Sequence, residues 1–475
     1  MEISVLAPHR HPRLRYALRA VGRLLGWRFV LTTDEARFAG AAAGCRLRLG
    51  SRPGEAVAAR LPLHPFLAGK SPTPADLTVV RRNALPLFFP VPDTNDHDLL
   101  ACIFYVLSRY EEYDAPEDTY DEHGRFPARA SHAHRNGYLQ QPVVRYWALR
   151  IADHIRETYP DVLPPTPPPY RLQLTYDIDI LWAYRHRGWR GYAAGLRDLL
   201  TGHFARVRDR FLADPSSDPY GTVPWLETLH GSLTPPRHLR AAAQKTDQPN
   251  TERGHPPVAP AAVTYFWLLA NGEDRRDPNP FPVPKAQAEL MSELTRKHAC
   301  GLHPSYRTSD EPALLREEVA RYTDLLGQPP RHARQHFLRF RLPATYRQLN
   351  AAGITHEHSM GYADAIGWRA GTNHPFRWYD LGEERETGLT VYPFAAMDVT
   401  LKKYLELSPE AAASALLALN EPVAALGGDF ALLWHNSSFA PAYGWAGWQR
   451  MYERLLPQLA APYDQEAGDQ ELSAR

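Results

Sequence analysis

The chain has 475 residues, with 54 Lys and Arg against 53 Asp and Glu, and 44% of its residues are hydrophobic. This is the composition of a globular protein with room for two or more domains. It argues against a nucleic-acid binder, which carries a basic excess, and against an acidic disordered chain.

Leu14–Leu25 reads as a basic amphipathic helix. Cys45, Cys102 and Cys300 are too scattered for a disulfide framework or a paired-cysteine metal site. The N-terminus has no basic leader, and no apolar run approaches the roughly 18 residues of a spanning helix. The expectation is a cytoplasmic protein without a transmembrane segment. Asp98–Tyr113 has apolar residues at helical spacing behind an acidic cap, and Gln141–Tyr159 predicts another helix after a proline start. Between them, residues 110–144 hold several histidines and carboxylates in no metal-binding spacing and read as packed scaffold or a domain-docking segment. Six prolines fall between Pro160 and Pro169, a density that excludes helix and central strand. They predict a mixed α/β domain at 1–163, a stiff linker at 164–169 and a second domain at 170–463.

The second domain alternates. Strands are predicted at Leu172–Tyr176, Val263–Leu269, Ala299–Leu302, Val391–Phe394 and Phe430–Trp434. Helices are predicted at Pro284–His298, Pro312–Leu326, Pro343–Ala352 and Ser408–Leu426. The polar, Pro-rich stretch 230–262 reads as a disordered insertion, and 464–475 as a frayed tail. Alternation of this kind predicts a parallel β/α architecture, with chemistry at the C-terminal ends of the strands.

Three strand ends carry acids or imidazoles. The first ends in TYDID, where Asp177 and Asp179 point the same way because strand side chains alternate. They repel unless a cation or proton lies between them. They read either as a general base with a metal ligand or as two solvated helix caps. His303 follows the strand in GLHPS, and His435 closes LLWHN. Arg334 and His336 stand close together in ARQHF, and Arg334 is a candidate to orient Asp177 by charge pairing.

In this order TYDID, GLHPS, RQHF, GWRAGT and LLWHN resemble the polysaccharide deacetylase (NodB-homology) family over roughly residues 170–460. The resemblance implies a distorted (β/α) barrel that binds one divalent metal, zinc or a similar ion. It also implies removal of N- or O-linked acetyl groups from a carbohydrate or lipid-linked glycan. Asp177 would then be the catalytic base, Arg334 would steady it, His435 would be the general acid, and Asp179 and His303 would be metal ligands. The family's second motif is His-x-x-x-His, but Arg307 stands four residues after His303. Ser305 and His336 are the candidates for the third ligand. Tyr306, Trp368, Arg369 and Trp434, with Trp182, stand near the motifs as candidate sugar-binding residues. The first 165 residues, with LSRYEEY, GRFPA and QPVVRYW, resemble the uncharacterised domain that precedes deacetylase-like domains in Bacteroidetes proteins. The alternative reading is a catalytically inactive glycan-binding or polysaccharide-assembly protein, in which the absent histidine marks a decayed metal site.

Overall fold

A computed structural model describes residues 1–41, 44–50, 58–91, 96–186, 188–211, 218–233 and 256–462. In the N-terminal part, β1 (Glu2–Leu6), β2 (Arg28–Thr32), β3 (Cys45–Leu49) and β4 (Ala59–Leu61) form a parallel sheet in the order β2-β1-β3-β4. The helix Pro12–Leu25 links β1 to β2. It starts on a proline, whose missing N–H costs nothing there, and stops at Gly26 with φ 68°. A hairpin of β5 (Val80–Arg82) and β6 (Leu85–Leu87) follows. The single helix expected at 98–113 is two, Leu99–Ser108 and Tyr110–Tyr113, broken at Arg109 with φ 54°. Arg109 leaves the helical path, and its buried guanidinium bonds Glu112 and the Tyr362 hydroxyl.

The remaining strands are β7 (Tyr170–Ile178), β8 (Ala262–Leu268), β9 (Ala299–His303), β10 (His332–Ala333), β11 (His356–Glu357), β12 (Phe376–Asp380), β13 (Arg385–Val391), β14 (Ala396–Met397) and β15 (Gly428–His435). They form one nine-stranded sheet in the order β12-β13-β11-β10-β9-β8-β7-β15-β14. All neighbours are parallel except β12 and β13. The last long strand pairs with the first, from Gly428 beside Tyr170 to His435 beside Asp177. That succession is the strand order of a (β/α) barrel.

The ring is nevertheless open, which corrects the expectation of a distorted (β/α) barrel to an open sheet. Among the described residues no ladder joins β13 to β14. Only residues 392–395 separate those strands, and a parallel crossover needs a dozen or more. The architecture is a mixed α/β fold around an open sheet. The strand expected at Val391–Phe394 lies earlier, as β13, and pairs with the unpredicted β12.

Part of the stretch expected to be disordered is ordered. The helix Val223–Ser232 runs into it, and Val258 bridges Tyr170 at the start of β7. The rest of that stretch, 234–255, and the tail 463–475 lie outside the described residues. Among the described residues no helix is long and apolar enough to cross a membrane.

The two parts pack closely. Arg13 pairs with Glu384 at 2.6 Å, the Tyr16 hydroxyl donates to the Arg377 carbonyl at 2.6 Å, and Val144 N–H donates to the Gly371 carbonyl at 3.0 Å. Buried apolar residues of both parts belong to one continuous core.

Candidate active site and metal centre

Five strands deliver side chains to the same end of the sheet. Asp177 and Asp179 come from the end of β7, His303 ends β9, Arg334 and His336 follow β10, Asp398 follows β14, and His435 ends β15. β9 and β15 are mostly apolar, buried runs that close on His303 and His435, and β7 is buried from Leu174 to its end at Ile178, where Asp177 and Asp179 emerge. Parallel pairing brings those stops to one rim.

Arg334 is the buried hub. Its Nη1 donates to Asp177 Oδ1 at 2.9 Å, its Nη2 to Thr175 Oγ1 at 2.8 Å and its Nε to the His358 carbonyl at 2.9 Å. The guanidinium lies 4.4 Å from the centre of the Phe266 ring. Three hydrogen bonds and a packed face leave it one position, and that position orients Asp177.

The ligand set is held in the same way. His303 Nδ1–H donates to the Arg334 carbonyl at 2.5 Å, and His336 Nδ1–H donates to Asp277 Oδ1 at 2.7 Å. Both acceptors orient the imidazole rings and turn each Nε2 towards Asp179. His303 Nε2 lies 3.3 Å from Asp179 Oδ1, and His336 Nε2 lies 3.6 Å from Asp179 Oδ2. One ligand atom from each of the three residues falls within 4.8 Å of the others. Two ligands at about 2.0–2.1 Å from a tetrahedral ion stand about 3.3 Å apart, so the spacing fits a divalent cation. Asp179 Oδ1 and His303 Nε2 are buried without a hydrogen-bond partner, which buried polar atoms rarely are. Orphaned donor atoms converging from an O,N,N set could hold a metal ion.

Across the cleft, His435 Nδ1–H donates to Asp398 Oδ1 at 2.9 Å, and the His435 N–H donates to Asp398 Oδ2 at 2.8 Å. His435 Nε2 lies 3.8 Å from Asp179 Oδ2. Burial disfavours the charged imidazolium, but Asp398, with Asp179 and Asp177, outweighs it and holds His435 up to about 10. For His336, burial is likewise outweighed by Asp179 and Asp277, which raise it to about 9. Burial alone would raise the Asp179 carboxyl, yet His336, His303 and His435 hold it well below the usual carboxylate range.

Comparison with known proteins adds little to this geometry. Residues 3–160 match a family of unknown function, DUF7033. No curated protein matches the chain in sequence. A crystal structure described as "putative polysaccharide deacetylase from Mycobacterium smegmatis" is similar at 13% identity, covering 64% of this chain and 88% of that chain with a TM-score of 0.36. At that level of overlap, any functional reading has to rest on the site itself.

The structure brings Asp177, Asp179, His303, Arg334, His336 and His435 together. Ser305 is not part of the three-residue cluster, and its backbone N–H donates to Glu318 Oε2 at 3.0 Å. Arg307 points outward and is paired with Glu311 at 2.8 Å. The candidate sugar-binding residues need correction. Trp434 is fully buried against Tyr452 and Phe439, with ring centres 4.7 and 6.3 Å away. Trp368 is buried, and its backbone N–H donates to the Leu139 carbonyl at 2.9 Å. Arg369 binds Glu112 through two hydrogen bonds of 2.9 and 2.6 Å. Tyr306 lies behind the cleft wall, beside His123, and Trp182 packs on His186. Large apolar rings at strand ends fill the core because burial stabilises them more than exposure does.

The rings that do line the cleft, a space of about 610 Å³, include Tyr220, Phe337, Tyr404, Tyr443 and Trp445. Phe337 and Leu338 have φ of 61° and 54°, a strained turn for two bulky residues directly after His336. The N-terminal part supplies His123 and Arg125 to the same wall. Arg125 Nη2 donates to the Tyr404 hydroxyl at 2.9 Å. Sequence reasoning missed Asp277 and Asp398. An acid directly after the short apolar run of β14 is a weak signal for Asp398, whereas Asp277 sits in a loop with no local pattern.

Proposed function

We propose that this chain is a metal-dependent hydrolase that removes N- or O-linked acetyl groups from a carbohydrate. The observation that carries the reading is the set of orphaned atoms on Asp179 and His303, joined by His336 Nε2, flanked by an Arg-held carboxylate and an Asp-held histidine. The motif order supplies the acetylated-sugar part of the reading, and the aromatic cleft suits stacking against sugar faces. His336 takes the ligand place that Arg307 leaves empty, which favours the enzyme over the decayed binding protein.

Asp179, His303 and His336 would hold the ion. When bound, a divalent cation supplies Lewis acidity to the acyl carbonyl and lowers the pKa of a water, and zinc suits the donor set. Asp177 accepts the proton of the attacking water at Oδ2, while Arg334 occupies Oδ1. His435, held through Nδ1 by Asp398, donates a proton from Nε2 to the departing amine or hydroxyl of the sugar. This division of labour follows the buried base–orienter logic of other hydrolytic sites.

The test is elemental analysis of the purified chain, paired with acetate release from a panel of acetylated sugars. The wild type is expected to carry one divalent ion per chain and Asp179→Ala none, with acetate release lost. A wild type that takes up no metal at any concentration would overturn the reading.

A further inference from the structure

The helices Gly188–Leu200 and Phe204–Phe211 leave the sheet just beyond Asp179. They fit each other tightly. A Cβ on Gly195 would come within 2.6 Å of the Phe211 ring, and buried Asp198 pairs with Arg210 at 2.9 Å. Their outer face is exposed among the described residues. Tyr192, Leu196, Leu200 and Phe204 are 71, 59, 78 and 66% exposed, and Leu199 is 47% exposed. Positions 192, 196, 199 and 200 fall on one stripe of the helix. A lone exposed leucine needs no explanation, but a contiguous apolar stripe marks an interaction surface.

The charge around the stripe says which surface it fits. Among the described residues of this hairpin and its approach, Arg185, Arg197 and Arg208 are exposed cations, whereas Arg210 is turned inward onto Asp198. Arg197 and Arg208 lie beside the stripe. The hairpin reaches the cleft through Arg206, whose guanidinium lies 5.1 Å from the Tyr443 ring, a cleft-lining residue. The turn Thr400–Tyr404, which meets the same 443–445 segment as Arg206, adds to the pattern. Lys402 bonds the Gly444 carbonyl and lies 4.6 Å from the Trp445 ring, Lys403 is exposed, and Tyr404 and Leu405 are 45 and 36% exposed.

We propose that this hairpin and the Lys402–Leu405 rim form a docking face for an anionic lipid bilayer. An apolar helical face edged by arginine is the pattern that lies in the interfacial plane, with its apolar side chains among the acyl chains and its cations among the headgroups. A second copy is a poor occupant, because a two-fold contact would set one arginine cluster against the other. Docked in this way, the cleft opens beside the headgroups, within reach of a glycan held on a lipid anchor. That corollary rests on the hydrolase reading; the docking does not.

The experiment is flotation of the full chain with vesicles of phosphatidylcholine alone and of phosphatidylcholine with about one-third phosphatidylglycerol. Anionic vesicles are expected to carry at least about tenfold more protein, and added salt to release part of it. Leu196→Glu/Leu200→Glu and Arg197→Glu/Arg208→Glu are each expected to abolish flotation. Both alter exposed positions, so circular dichroism and the melting temperature should match the wild type. Equal flotation on both vesicles, or wild-type flotation of the Leu196→Glu/Leu200→Glu variant, would overturn the proposal. So would a wild-type dimer in sedimentation equilibrium that the same variant dissociates without any lipid binding. Flotation is read without catalysis, so failure of the hydrolase reading leaves its outcome unchanged.

Discussion

Two clusters of buried charge in this molecule are built in opposite ways. Between the N-terminal part and the nine-stranded sheet, Glu112 accepts from Arg369 Nε and Nη2 at 2.9 and 2.6 Å and from Arg109 Nε at 2.7 Å. None of the three side chains has an orphaned atom. At the cleft, Asp179 and His303 keep orphaned atoms that face each other. Withdrawing an ion from water costs several kcal/mol, which complete hydrogen bonding can offset. The Glu112 cluster is closed and joins two parts of the chain. The cleft cluster is open and is held in place by the surrounding fold, as a binding site must be. Burial and charge are common to both; unsatisfied valence separates them.

The comparison breaks most visibly at Asp177. Asp177→Asn should lower kcat for acetate release by about 10²–10⁴-fold, while metal content measured on the same sample stays near one ion per chain. Loss of the metal as well would merge base and ligand into one function.

At the closed cluster the expected loss is stability. Glu112→Ala leaves two arginines facing an uncompensated void and should destabilise the chain by about 3–5 kcal/mol in denaturant titration. Asp179→Ala in the metal-free protein should cost far less, and equal losses would erase the distinction. The effect of Glu112 depends on pH in a definite direction. Burial would raise its carboxyl, but Arg369 and Arg109 hold it below the ordinary value. A depressed folded pKa contributes stability above the unfolded value of about 4.3, and that contribution is lost as pH falls through the folded value. The gap between wild type and Glu112→Gln should therefore be constant from neutrality to about pH 5 and shrink in stronger acid.

A smaller effect is expected at Asp277, which touches the ligand His336 and would not touch the ion. Asp277→Asn should weaken metal binding by about 10–100-fold in a competition titration with a chelator. The smallest concerns Arg307, which occupies the motif position of the missing histidine yet sits outside the cleft, with its side chain 41% exposed. Arg307→Ala should change stability by about 0.5 kcal/mol or less and leave metal content unchanged.

Much of the open cluster is legible along the chain. Asp177, Asp179, His303 and His435 each follow an apolar run, and a run that ends in an acid or imidazole is a local pattern. Their partners are not local. Asp277 meets His336 across 59 residues and Asp398 meets His435 across 37, and no spacing rule connects loops at such distances. The closed cluster is less visible still. Arg369 stands in a glycine-rich motif segment and reads as a substrate contact until the fold turns it towards Glu112. Trp434 and Trp368 mislead in the same way, because proximity in sequence to a strand end does not say which side of the strand a ring occupies.

The sequence by itself determines much of the alternation of strand and helix, the acid or imidazole near the ends of β7, β9 and β15, and the proline-rich run 164–169 that forms neither helix nor strand. These follow from hydrophobic periodicity and from proline's missing N–H, which act within a few residues. Tertiary structure alone decides that the ring stays open between β13 and β14. It selects His336 rather than Ser305 to face Asp179, and it brings His123 and Arg125 of the N-terminal part to the cleft wall. Those choices depend on which buried surfaces meet and which polar atoms find partners there, and both are settled by packing across the whole chain.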